Sequence, residues 1–350
     1  MAADHSFDAL DLASSVLGST TCMSLRDHKV VAALHQAGFR SSRDVDGFNA
    51  RELANVAKLS FQDASRVLTA IKGPRGTMLG LSAFDVLEQL REHPPVRTYV
   101  PLLDEALGGG VPIGEITEIC GAPGVGKTQL AIQIAFSAQC PENSDAPHRS
   151  IYIDSEGSFM IHRAAAMATC LAEDVPELRL DRDDLLRGLT YYRVHDFQEQ
   201  YEVLASLYGA LAADASVRAV IVDSIAFHCR HGYDDMTGRA RMLHNMALVL
   251  RKLAQDFPIA VVLINHVTTS LHQGSDVDGS NIVPALGESW SFSITNRLML
   301  RWEHQIRMAQ VVKSASQAQA SVRFDVTERG VRGIARKRSR SEEEFEAHDE

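Results

Sequence analysis

The sequence has no apolar run long enough to cross a bilayer. Residues 1–20 begin with acidic side chains and lack both the basic start and the continuous apolar stretch of a signal peptide. No membrane association is expected. The five cysteines, Cys22, Cys120, Cys140, Cys170 and Cys229, lie far apart with no Cys-x-x-Cys pair, so neither a disulfide framework nor a zinc site is indicated. A reducing compartment, cytosol or nucleus, fits that cysteine usage. Positive charge is also in short supply: 35 Lys and Arg against 45 Asp and Glu leave a formal net charge of −10. Affinity for nucleic acid comes mainly from neutralising phosphates with Lys and Arg, so wholesale wrapping by DNA or RNA is excluded and any such site is local.

What is there is a soluble globular composition, 45% hydrophobic and 23% charged, on a 350-residue chain that can hold one large core and a small second one. From 25 to 73 apolar positions recur at helical spacing in Val30, Val31, Leu34, then Leu53, Val56, then Val67, Leu68, Ile71, which predicts a small helical domain over 1–73. Residues 74–98 read as a linker with one helix at 82–92, started by the Ser82 and Asp85 pair and stopped by Pro94-Pro95. Beyond it, β-rich runs at 115–120, 151–154, 190–194, 219–223 and 259–265 alternate with helices, the pattern of an α/β fold with a mostly parallel central sheet. Runs at 297–302, 308–313 and 321–326 follow without helices, so antiparallel strands end a core assigned to 99–330. A charged tail, 331–350, closes the chain.

The stretch Gly121-Ala122-Pro123-Gly124-Val125-Gly126-Lys127-Thr128 fits the P-loop pattern and sits between a predicted strand and a helical run, the context that motif requires. Its glycines let backbone N–H groups close around phosphates, Lys127 reaches the β and γ phosphates, and Thr128 can ligate Mg²⁺. ATP and Mg²⁺ are the ligands this predicts. Val220-Ile221-Val222-Asp223 supplies the second metal anchor, an apolar strand ending in a carboxylate. Glu156, in Asp154-Ser155-Glu156-Gly157-Ser158-Phe159, falls just past the C-terminal end of the second core strand, where the ligand crevice of an open α/β sheet lies, and is the candidate catalytic base.

These stretches, with Pro284-Ala285-Leu286-Gly287-Glu288-Ser289-Trp290 and the tail Arg336-Lys337-Arg338-Ser339-Arg340 followed by acidic residues, resemble the eukaryotic RecA-like recombinase family, most of all its C-type paralogue branch. The resemblance runs from about residue 25 to 340. It implies a RecA-like P-loop ATPase core behind a helix-hairpin-helix domain, and work in DNA double-strand break repair by homologous recombination. Glu156 then matches the family's catalytic glutamate, and Arg163 the arginine that packs on adenine. A first DNA-facing loop is implied at 228–241 with Arg230, Arg239 and Arg241, and a second, free of helical or strand periodicity, at 267–288. Arg336, Lys337, Arg338 and Arg340 form a nuclear-import-like cluster, so the nucleus, with some protein in the cytoplasm, is the expected location. Other RecA-like paralogues, the main recombinase and single-stranded or branched DNA are the implied partners.

Several positions depart from the family pattern. Leu59 stands where a DNA-binding hairpin carries glycine for close approach to phosphate, which favours protein docking by the helical domain. Asn265-His266 replaces the usual Asn-Gln, and Lys313-Ser314-Ala315 lacks the acidic residue and prolines that cap a neighbour's ATP. No Phe-x-x-Ala hook lies between 73 and 98, while Phe61 and Ala64, at that spacing, fall on a helix where core packing accounts for them. Three readings stay open: an ATP-hydrolysing subunit of a heteromer of paralogues, a strand-exchange recombinase forming its own filament, and a scaffold that binds ATP without hydrolysing it.

Overall fold

Apolar runs such as Ala219-Val220-Ile221-Val222 and Ala260-Val261-Val262-Leu263-Ile264 do not alternate with polar residues, so strands made from them need cover on both faces. The computed structural model describes residues 25–39, 42–45, 48, 50–72, 82–140, 147–175, 179–230, 236–269 and 282–334, and in it those strands are covered twice. Two compact units, Met1–Glu88 and Gln89–Glu350, make up the chain.

In the first unit α1 (Leu25–Gln36), a 3₁₀ turn (Ser42–Val45), α2 (Ala50–Ala57) and α3 (Phe61–Lys72) surround a small core. Val30, Leu34, Leu53, Val67 and Leu68 are buried in it as their spacing predicts. Val56 instead is 49% exposed. With Ala50, Leu53 and Ala57 facing inward, the inward stripe of α2 passes through Ala57 and leaves Val56 to one side. Ala64 is buried and Phe61 packs on the same core. Ser60 caps α3, its Oγ accepting the Asp63 N–H at 3.1 Å. Next, α4 (Ala83–Glu92) forms where the Ser82 and Asp85 pair predicts a helix.

The second unit begins with α5 (Pro101–Ala106) and continues through β1 (Ile116–Gly121), α6 (Lys127–Ser137), β2 (Arg149–Asp154), α7 (Ile161–Asp174), α8 (Arg182–Gly188), β3 (Leu189–Arg193), α9 (Phe197–Ala213) and β4 (Val217–Asp223). After these come α10 (Phe227–Arg230), α11 (Met236–Asp256), β5 (Ala260–Asn265), β6 (Val267–Thr269), β7 (Ile282–Pro284), α12 (Gly287–Ser291), β8 (Asn296–Glu303), β9 (Ile306–Lys313), β10 (Ala320–Thr327) and β11 (Gly330–Gly333). Nine strands form one sheet in the order β11-β10-β9-β8-β1-β5-β4-β2-β3. Pairs from β8 through β3 are parallel, and β8 to β11 is an antiparallel extension. Ala219, Ile221, Ala260, Val262 and Ile264 face the layer that holds α6 and α7. Val220, Val222, Val261 and Leu263 face the layer that holds α9 and α11.

The sequence reading ended the core at 330 and missed β11, which has four residues and a glycine at each end, too little to show a period of two. Gln133 of α6 secures it: its side chain donates to the Val331 carbonyl at 3.1 Å and accepts the Val331 N–H at 2.8 Å. Residues 267–269 and 282–288, read as loop from the sequence, also hold regular structure, since β6 and β7 pair as an antiparallel ribbon and α12 follows. Three-residue strands are too short for alternation to be read from sequence.

At the centre of the sheet Glu118 of β1 is completely buried. Its carboxylate accepts the Asn265 amide at 2.8 Å, the Trp290 indole at 2.8 Å, the Arg297 guanidinium at 2.5 Å and the Cys120 thiol at 3.3 Å. Four elements, β1, β5, α12 and β8, therefore meet on one side chain. Arg297→Ala leaves that buried charge with neutral donors only, and a loss of about 3 kcal/mol of stability is expected. Urea unfolding of the variant beside the wild type measures it, and a midpoint unchanged from wild type would show that the pair contributes little.

Candidate nucleotide site

The candidate residues come from the C-terminal ends of adjacent parallel strands, where an open α/β sheet leaves its crevice. From β1 the chain enters the phosphate loop. A Cβ on Gly121 would lie 2.4 Å from the Leu300 carbonyl oxygen of β8, so no larger residue fits there without moving the strand. Gly126 has φ +114°, a left-handed conformation that glycine adopts without strain, and it turns the loop into α6. Lys127 begins that helix, and its Nζ donates to the carbonyls of Gly121 and Ala122 at 2.9 and 3.0 Å. Burial lowers the pKa of its ammonium, against the opposing pull of Asp223 and Glu156.

Asp223 ends β4 with its side chain out of solvent. Thr128 and Tyr152 both donate hydroxyl hydrogens to its Oδ2, each at 2.7 Å. Burial pushes the Asp223 carboxyl up to about 6, although both hydroxyls work to lower it. A buried carboxylate beside a threonine hydroxyl is a hard oxygen set of the kind Mg²⁺ accepts when phosphates complete its shell. Among the described residues no cluster of three or more His, Cys, Asp or Glu side chains is placed to hold a metal by itself.

Glu156 is brought to this place by Asp154, which the sequence reading did not single out. Asp154 Oδ1 accepts the N–H groups of Glu156, Gly157 and Ser158 at 3.1, 2.7 and 3.2 Å. Its Oδ2 accepts the Phe159 N–H at 3.2 Å and the Tyr191 hydroxyl at 3.0 Å. An aspartate followed by Ser-Glu-Gly-Ser is the composition of a side-chain-closed turn, and that signal could have found it. Ser155 stitches the turn to β4, donating to the Ser224 carbonyl at 2.7 Å and accepting the Ser224 N–H at 2.8 Å. Phe159 then lies between Tyr152 and Tyr191, with ring centroids 4.9 Å from each.

The Glu156 carboxylate meets His266, with Nε2 to Oε1 at 2.5 Å. Burial pushes the Glu156 carboxyl up, but the hydrogen bond with the His266 ring and the nearby Lys127 charge help to outweigh it and hold the group below its usual value. Arg163, in the first turn of α7, donates to Gln129 Oε1 at 2.6 Å and to the Thr327 and Glu328 carbonyls at 2.6 and 2.5 Å. It thus stands beside the start of α6, tied to the turn between β10 and β11.

The candidate DNA contacts are not gathered in this way. The sequence reading put Arg239 and Arg241 in a loop, whereas both lie near the start of α11, Arg239 half-buried and Arg241 exposed. The helix begins at Met236, because Met236 to Asp256 is free of proline and of long polar breaks. Arg230 ends α10. Residues 231–235, 270–281 and the basic cluster at 336–340 lie outside the described residues.

Asp154→Ala removes the acceptor for four backbone N–H groups, and a loss of about 3 kcal/mol with faster amide exchange over 156–159 is expected. Hydrogen exchange read by mass spectrometry checks it; protection equal to wild type would mean that the turn holds without the carboxylate.

The Rad51 family profile matches residues 94–334. Over 334 residues the chain is 34% identical to "DNA repair protein RAD51 homolog 3" of Cricetulus griseus, covering 88% of this chain and 90% of that protein. It is 34% identical over 268 residues to the protein of the same name from Dictyostelium discoideum, covering 73% and 70%. A third relative, "DNA repair protein XRCC3" of Mus musculus, is 26% identical over 334 residues, covering 87% of this chain and 95% of that one. With its RecA-like sheet and its phosphate loop at the sheet's C-terminal edge, the chain belongs to the Rad51 family.

Proposed function

We propose that this chain is an ATP-dependent recombinase paralogue subunit of DNA double-strand break repair by homologous recombination, and that it works in a heteromer with other RecA-like chains. The observation that carries this reading is the convergence of Lys127, Thr128, Asp223 and Glu156 at one edge of the sheet. The DNA repair names of its relatives supply the context.

The geometry supports a division of labour among these residues. The loop from Gly121 to Gly126 and the start of α6 offer backbone N–H groups to phosphate oxygens, and Lys127 gives up its carbonyl contacts to reach them. Thr128 and Asp223 would hold Mg²⁺, which would supply positive charge against the phosphates. Glu156, kept ionised by its neighbours, takes the proton of the attacking water, and Arg163 borders the adenine. Arg230, Arg239 and Arg241 are the residues proposed to meet DNA phosphates, and the sparse positive charge makes that contact a local one. The main recombinase on single-stranded or branched DNA is the object of its help, and the nucleus, with some protein in the cytoplasm, is the place of work.

A kept nucleotide site without the family's self-assembly features favours a heteromer. Phe61 and Ala64 serve the helical core, and Lys313 donates to the Ser291 and Ile294 carbonyls, tying β9 to the end of α12. ATP bound here would stabilise an interface with a different RecA-like partner.

Lys127→Ala should abolish ATP binding in equilibrium titration, while Glu156→Gln should bind ATP and lose single-turnover hydrolysis. Equal loss of affinity in both variants refutes the assignment of Glu156 to the attacking water. In negative-stain images with ATP, Mg²⁺ and single-stranded DNA, the purified chain should form no long regular filaments. Such filaments would replace the heteromer reading with that of a self-assembling recombinase.

A further inference from the structure

His266 is fixed on both sides before its ring reaches the site. Its carbonyl accepts the Ala285 N–H at 2.9 Å, at the root of the β6 and β7 ribbon, and its neighbour Asn265 is bound to Glu118. The ring meets Glu156 with the two side chains 17% and 23% exposed, so water has only partial access to the contact. An ionised carboxylate has no hydrogen to give, hence Nε2 carries the hydrogen and donates it. The other titratable groups facing Glu156 are Lys127 from α6, Asp223 from β4 and Tyr152 from β2. Tyr152 gives its hydroxyl hydrogen to Asp223, and Lys127 bonds backbone carbonyls.

We propose that His266 is a positioning residue for Glu156, its ring N–H holding one carboxylate oxygen so that the other is left to take a proton from water. This rests on the hydrolase reading above. In the step it serves, an O–H bond of water breaks and the proton passes to Glu156. The water oxygen bonds to the terminal phosphorus, and the bond to the leaving nucleoside diphosphate oxygen breaks with its electron pair. An imidazole is a rigid donor set by its backbone, so the carboxylate is aimed from β5 while its own turn is held from β2. Without the ring, burial acts on Glu156 with less opposition.

The test compares wild type, His266→Ala, His266→Gln and Glu156→Gln as full-length chains. His266→Ala should keep its ATP affinity and lose roughly tenfold or more in single-turnover hydrolysis. The acidic limb of its pH–rate profile should move to higher pH. His266→Gln, which restores an N–H donor, should recover part of the rate. A rate and acidic limb equal to wild type overturn the proposal, and so does a loss of ATP affinity as large as the loss of rate. A readout free of hydrolysis separates the two hypotheses. In histidine-labelled protein, the ring signal missing from His266→Gln belongs to His266 and should move in Glu156→Gln. Equal hydrolysis by wild type and Glu156→Gln removes the base role of Glu156 and overturns the proposal with it, whereas lost hydrolysis in Glu156→Gln with an unmoved His266 signal sinks the contact alone.

Discussion

A carboxylate sealed inside a sheet must be met by donors, and Glu118 is so sealed. Its partners come from three elements besides its own strand, so its needs are satisfied by one register of β5, one register of β8 and one seat for Trp290. Sliding either strand by one residue would turn Asn265 or Arg297 to the opposite face. The phosphate loop starts just beyond Glu118 on β1, and His266 is the next residue after Asn265 on β5. Both inherit their places from this one buried charge.

The nucleotide edge then contains three acidic side chains with three different surroundings. Asp154 is surrounded by backbone N–H groups and a tyrosine hydroxyl and has a structural task. Asp223 receives two hydroxyl hydrogens on one oxygen and remains costly to ionise in its buried seat, a condition that a divalent cation relieves. Glu156 has a ring donor and a nearby ammonium, which keep it charged. The serine stitch between Ser155 and Ser224 keeps the carriers of these groups at a fixed separation.

Much of this was legible because the strongest signals were local. The phosphate loop shows itself through glycine spacing and a strand before it, and the apolar runs before Asp223 and Asn265 could belong only to covered strands. Val56 lies in a helix as its spacing predicts but off the buried stripe, where a small alanine, Ala57, takes the inward position. The ribbon of β6 and β7 and the strand β11 were invisible because three or four residues hold no readable period. Arg239 and Arg241 went to a loop by likeness to the family, while the helix that carries them starts earlier. Nothing in the sequence shows that Glu156 and His266 touch, because their strands are brought near each other only by the crossovers of the sheet.

The two tryptophans sit in opposite settings. Trp290 is 4% exposed with its indole N–H on the Glu118 carboxylate, whereas Trp302 is 46% exposed beneath the Arg307 guanidinium, 4.2 Å from the ring centroid. An indole's emission shifts with the polarity around it, so the chain carries one optical probe at the root of its central charge and another on its antiparallel extension. With Trp302 replaced by phenylalanine, the remaining light would come from the junction of β1, β5, β8 and α12, and its colour would follow the state of that junction without any added label.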